Sequence, residues 1–145
     1  MKKLFYSLLL FASASLFAQK NTSTQFAVAN DVVGTVDMFT TKGDILQGKG
    51  VLKTKATLPQ NLKKYAYLAD NGLTEYKFKK GYEGQDRLTV AQINQMYGVD
   101  KDAPVFIDGY EFKNPETKIY AEILNNVEVQ ENNGRKVVTY TSKVK

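Results

Sequence analysis

Fifteen acidic residues, no histidine and no cysteine define the chemistry open to this chain. Without imidazole, the commonest general base, the Ser–His–Asp triads and most zinc or copper sites fall away. An enzyme would have to work with Asp, Glu, Lys, Tyr or Ser. Asp37, Glu75, Asp86 and Glu122 are the carboxylates that could pair for acid–base work, but no spacing brings two of them together. Asp100-Lys101-Asp102 sets two carboxylates two residues apart, with Asp108 nearby. A calcium loop needs more oxygen ligands at fixed spacing, a glycine at the turn and a late bidentate Glu, and these are missing. The expectation is no catalytic, cofactor or metal site. Asp108, followed by Gly109, is better explained by turn chemistry than as a reactive acid.

Tyrosine and phenylalanine supply all the aromatics, 9 and 8 residues respectively. Tyr82, inside Gly81-Tyr82-Glu83-Gly84, and Tyr110, beside the Asp108-Gly109 turn, are the aromatics expected at the surface. Exposed loop tyrosines give large contact area at little entropy cost. Tyr82, Asp108 and Tyr110 are therefore the candidate interaction residues, whereas Tyr76 and Phe78 are expected in the core.

The elements that must carry these residues follow from local pattern. Gln19 to Asn30 is polar and is expected to be a flexible lead-in. Asp31 to Thr41 is rich in β-branched residues, with Gly34 as a bulge or weak point. Ile45 to Thr57 reads as a second strand region, able to pair with the first. Pro59 opens a helix running to Asp70, stopped by Asn71-Gly72. Leu73 to Lys79 alternates as a strand, and Lys80 to Arg87 is a loop. Thr89-Val90-Ala91-Gln92 is a capping box before a helix that ends at Gly98. Pro104 opens a buried strand, and Asp108-Gly109 turns it into a small hairpin. Asn114-Pro115-Glu116 reads as another helix start, reaching Asn125-Asn126. Val127-Glu128-Val129, Asn133-Gly134 and Lys136 to Ser142 form a closing hairpin. The expected fold is a small single α+β domain over residues 31–145, with an antiparallel or mixed sheet and about three short helices.

The N-terminus has the layout of an export signal. Lys2 and Lys3 precede the apolar run Leu4 to Ala14, which is too short to span a membrane. A cut after Ala18 leaves 127 of the 145 residues, and one after Ala14 would use the better small-residue pattern. With Lys2 and Lys3 removed, the formal charge falls from +5 to +3 and is spread along the chain. That is no nucleic-acid footprint, which calls for a dense basic stripe. Absence of cysteine leaves no disulfide framework and no lipidated anchor. The expected setting is the periplasm or cell exterior.

Pro104-Val105-Phe106-Ile107-Asp108-Gly109 resembles the apolar-strand-then-Asp-Gly element of the plug domain of TonB-dependent outer-membrane receptors. In that family a short helix, an acidic Ile-Glu-Val strand, a glycine turn and a Val/Ile/Thr strand follow. Here Ile119 to Asn125, Asn126-Val127-Glu128-Val129, Asn133-Gly134 and Val137 to Thr141 keep that order, so the likeness spans about Leu88 to Lys143. The family's small-residue stretch before the last strand is cut to a hairpin turn, and no barrel follows. The leader ending Leu16-Phe17-Ala18-Gln19 resembles those of secreted Bacteroidetes proteins. The resemblance implies a stand-alone plug-like module, with an envelope protein as its partner. The expected function is a non-enzymatic binding or interaction module; the alternative is a carboxylate-based hydrolase of the periplasm or cell surface.

Overall fold

The computed structural model describes residues 20–144; the expected signal segment lies outside them. Two sheets share one core in an α+β arrangement. The six-stranded sheet runs β3-β4-β1-β2-β8-β5 and the four-stranded sheet β7-β6-β10-β9. The first is built from β1 (Phe26–Ala29), β2 (Val32–Thr35), β3 (Val51–Lys53), β4 (Leu73–Glu75), β5 (Arg87–Thr89) and β8 (Lys118–Tyr120). The second uses β6 (Val105–Ile107), β7 (Tyr110–Phe112), β9 (Asn125–Asn132) and β10 (Arg135–Thr141). The sheets meet where the Phe26 ring packs edge-on against Tyr110 and Phe112, with centroids 4.9 and 5.9 Å away.

The stretch expected to be a flexible lead-in holds the most buried strand. Phe26-Ala27-Val28-Ala29 is apolar on both faces and sits between β4 and β2, so all four residues are buried. It forms a hairpin with β2 through Asn30 and Asp31, at φ 51° and 63°. Two left-handed residues make the tight turn whose twist matches a hairpin, and Asn and Asp tolerate that region best after glycine. Only residues 20–25 remain as a lead-in, and they are pinned: Asn71 Nδ2 donates to the Thr22 and Thr24 carbonyls at 2.6 and 3.1 Å.

β2 stops at Thr35, because the Thr35 hydroxyl accepts from the Met38 amide at 3.2 Å and caps α1 (Val36–Thr40). Gly34 is no bulge, since it pairs in register with Ala27. A Cβ there would lie 2.8 Å from Met38 Cε and 3.1 Å from Phe39 Cε2, so glycine is what lets α1 fold back on β2. The region 45–57 forms one strand, β3, which pairs with β4 and not with the strand before it, besides a bridge from Leu46 to Phe78 and a 3₁₀ turn at Lys55–Thr57.

The expected helix after Pro59 is a 3₁₀ helix, Gln60–Leu68. Its buried residues, Leu62, Tyr65 and Leu68, recur every third position, which matches 3.0 residues per turn rather than 3.6. α2 (Val90–Met96) is capped as expected: the Gln92 amide donates to Thr89 Oγ1 at 3.1 Å and the Thr89 amide to Gln92 Oε1 at 2.8 Å. The helix expected from Asn114 does not form. Asn114 Oδ1 accepts from the Glu116 amide at 2.9 Å in a turn, and the chain continues as β8, parallel to β2. Ile119 and Tyr120, on opposite faces of β8, are both buried, and the fourfold spacing of Ile119 and Ile123 spans the end of β8 and a short 3₁₀ turn.

Candidate interaction surface

The Asp108-Gly109 turn is a junction rather than a surface site. Asp108 has φ 52° and joins β6 to β7. Its carboxylate accepts from Thr24 Oγ1 at 2.8 Å, from the Ser142 amide at 2.9 Å and from the Ser142 hydroxyl. Its amide donates to the Tyr140 carbonyl at 3.0 Å, and its carbonyl accepts from the Asn21 amide at 2.8 Å. One residue thus ties the residues before β1 and those after β10 to the same turn.

Tyr110 is only 2% exposed, against the expectation of an exposed aromatic. The turn directs its ring inward onto Phe26, and Lys20 Nζ lies over the ring at 4.9 Å. Burial raises the phenol pKa, with the Asp70 charge adding to it. Tyr82 is exposed, on a separate loop. Its amide donates to Lys79 O at 3.0 Å, and no hydrogen bond joins that loop to the Asp108 turn among the described residues. The three expected interaction residues do not form one patch.

A groove of about 1040 Å³ has Tyr65, Tyr67, Lys64 and Lys118 on its walls. Its most organised group is Asp31, which accepts from Tyr65 Oη at 2.6 Å and pairs with Lys64 at 2.8 Å. Burial works against the Asp31 charge, but the Lys64 and Tyr65 hydrogen bonds outweigh it and hold the carboxyl below its ordinary value. Burial pushes the Tyr65 phenol well up, assisted by Asp31, and moves that of Tyr67 up to about 12. These polar groups already serve one another.

Of the four carboxylates considered for acid–base work, Asp86 and Glu122 line one open cleft of about 330 Å³. Glu122 there is bridged to Lys42 at 2.7 Å. Asp37 pairs with Lys143 at 3.3 Å, and Glu75 accepts from Asn61 Nδ2 at 3.3 Å. Asp100 pairs with Arg135 at 3.5 Å. Among the described residues no three acidic side chains gather as metal ligands.

Among the described residues, the outer edge of β9 is organised and has no partner strand. β9 is the longest strand among the described residues, at eight residues, and pairs with β10 on one side only. The turn between them puts Asn133 at φ 55° and Gly134 at φ 77°, the geometry an Asn-Gly hairpin requires. β10 is held from behind by β6 and places Val138 and Tyr140 in the core. The start of β9 is locked as well, since Asn126 Nδ2 donates to Thr141 Oγ1 at 2.6 Å and to the Lys143 carbonyl at 3.0 Å. The ladder is bulged at that end, where the register shifts between Thr139 and Thr141 and Asn126 takes φ 52°. Val127 and Val129 are 40% and 45% exposed. Glu128 and Glu131 are exposed beside them and no base lies in the strand. The alternation of Val127, Glu128 and Val129 predicts a strand with one buried face. It cannot show that the strand lies at a sheet edge, because that depends on β10 pairing with the distant β6.

No helix among the described residues is long and apolar enough to cross a membrane. No protein-family model matches the chain, and no curated protein or solved structure matches it either.

Proposed function

We propose that this protein is a small exported, non-enzymatic interaction module of the cell envelope, built on a plug-like strand–turn–strand unit around Asp108. It takes an extended segment of a partner onto the β9 edge. Strand addition suits this edge because main-chain hydrogen bonds supply affinity and alternate side-chain contacts supply specificity. The observation that carries the reading is an eight-residue strand whose outer side has no partner strand among the described residues and whose valines are exposed. The bulge at Asn126-Val127 and the two glutamates discourage indiscriminate pairing, so strand addition is confined to the regular stretch from Glu128 to Asn132 and to a partner of suitable charge.

The test is recovery of partners from the protein's own envelope fraction with a tagged chain. Wild type should retain a partner that the Val127→Lys/Val129→Lys double variant loses. Both substitutions lie at exposed positions, and an unchanged circular-dichroism spectrum confirms the fold. Recovery of nothing above background, or equal recovery by the double variant, overturns the proposal. The hydrolase alternative rests on the cleft that Asp86 and Glu122 line, where Glu122 is already engaged by Lys42 at 2.7 Å.

A further inference from the structure

Among the described residues the two sheets end in four edge strands, and these differ in what they show to solvent. β5 and β7 are at least half-buried throughout. β3 and β9 are the edges with exposed large apolar side chains: Val51 and Leu52 are 52% and 62% exposed, beside the valines of β9. Their charges are opposite. β3 lies in Lys49-Gly50-Val51-Leu52-Lys53-Thr54-Lys55, which has three lysines and no acid, whereas β9 has two glutamates and no base. Lys49 and Lys53 make no ion pair among the described residues, while Lys55 reaches Asp70 at 3.5 Å.

We infer that the partner taken by the β9 edge is the β3 edge of a second copy of this chain, joining copies head to tail. This rests on the reading of β9 as a strand-adding edge and identifies its occupant. Pairing like edges brings charge of one sign onto both strands, three lysines beside three or two glutamates beside two, whereas the unlike pair brings opposite charges together. The unlike pair matches in an antiparallel register. With Leu52 opposite Val129, Lys53 falls opposite Glu128 on the other face, and Thr54 and Val51 oppose Val127 and Gln130. Two different edges of one molecule make a heterologous contact, so the assembly grows into an open chain or a ring and does not stop at a two-fold dimer.

Sedimentation velocity on the chain purified after export tests this. The mean sedimentation coefficient should rise with concentration beyond that of a dimer and fall with added salt. Lys53→Glu and Glu128→Lys should each weaken assembly about tenfold or more. Mixed together they should restore it, since each reversed edge then meets its complement. Lys63→Glu, an equal charge change outside both strands, should leave assembly unchanged. The chain has no cysteine of its own. Leu52→Cys copies mixed with Val129→Cys copies should therefore form a disulfide between unlike chains. A monomer at every concentration and salt, or assembly unaffected by either charge reversal, overturns the inference. So does failure of the mixture to recover. Should the charge reversals leave assembly unmoved while the β9 valine variant still loses an envelope protein, this inference falls and the proposed function stands. A monomer that also retains no envelope protein removes both.

Discussion

Asp108 is the position at which one substitution should test the architecture most directly. Its carboxylate receives three hydrogen bonds, from Thr24 Oγ1, the Ser142 amide and the Ser142 hydroxyl. Hydrogen bonds to a charged group contribute about 1.5–3 kcal/mol each, but this site is only part-buried, and water can replace some of what is lost. A total of about 2 kcal/mol for loss of the carboxylate is the reasonable figure. Backbone conformation adds a second cost, because at φ 52° an alanine sits in the left-handed region at roughly 1 kcal/mol more than glycine. Asp108→Ala should therefore lose about 3 kcal/mol and Asp108→Gly about 2 kcal/mol. Asp108→Asn, which keeps an acceptor and tolerates left-handed φ, should lose about 1 kcal/mol. In a domain of this size each kcal/mol lowers Tm by about 3–5 °C, so the alanine variant should melt roughly 10 °C early. Urea unfolding followed by far-ultraviolet circular dichroism measures all three. Hydrogen exchange at the Ser142 amide should quicken in the alanine and glycine variants. An alanine variant within about 0.5 kcal/mol of wild type, or one more stable than the glycine variant, would refute the account of this residue as a clasp on left-handed backbone.

Gly34→Ala should destabilise the domain by about 1–3 kcal/mol in urea unfolding, because its Cβ meets Met38 Cε at 2.8 Å and the Phe39 ring at 3.1 Å. In a Met38→Ala background, itself destabilised because Met38 is in the core, Gly34→Ala should cost less than it does in the wild type, since the nearest clash is with the end of the Met38 side chain. Burial raises the phenol pKa of both Tyr67 and Tyr120 to about 12. The folded state thus holds these protons more tightly than the unfolded state, whose tyrosines titrate near 10. Their contribution is complete below about pH 10 and is lost as pH rises from there through about 12. Tyrosinate absorbance and ellipticity should change together over that window. Tyr67→Phe should leave a shallower alkaline loss.

Where a feature is set by two or three neighbouring residues, the sequence shows it. Thr89 and Gln92 announce the cap of α2, Asn133-Gly134 the long hairpin, and Asp108-Gly109 the turn between β6 and β7. The elements that depart from their local pattern depend on distant pairing. Phe26–Ala29 is too short to stand out from its polar flanks, and it becomes a strand because β2 and β4 bury both its faces. Lys118–Tyr120 follows a good helix start, but the gap between β2 and β5 takes a strand there. Tyr110 sits beside a turn, where exposure is the natural expectation, yet the inter-sheet core claims it. The candidate surface was visible as Val127-Glu128-Val129, and its exposure was not, since nothing local marks a strand as an edge.

The clasp and the edge are mechanically connected, and that connection bears on function. β10 pairs with β6 on one side and β9 on the other, and Asp108 anchors the end of β10 through Ser142. A strand added to β9 would be the fifth in a sheet whose inner members are already fixed at that end. It would therefore meet an ordered template and have only its own segment to order on binding, which is the main cost strand addition carries. The opposite edge, β3, is three residues long and so offers fewer backbone groups, with Gly50 packed closely against Thr74 and Tyr76. If unlike edges join, the length of the contact is set by β3. Loosening the clasp should then weaken assembly through β9 even though Asp108 lies outside the edge. Asp108→Asn, the mildest of the three variants, is the one to measure it with, because it remains folded while its hold on Ser142 is reduced.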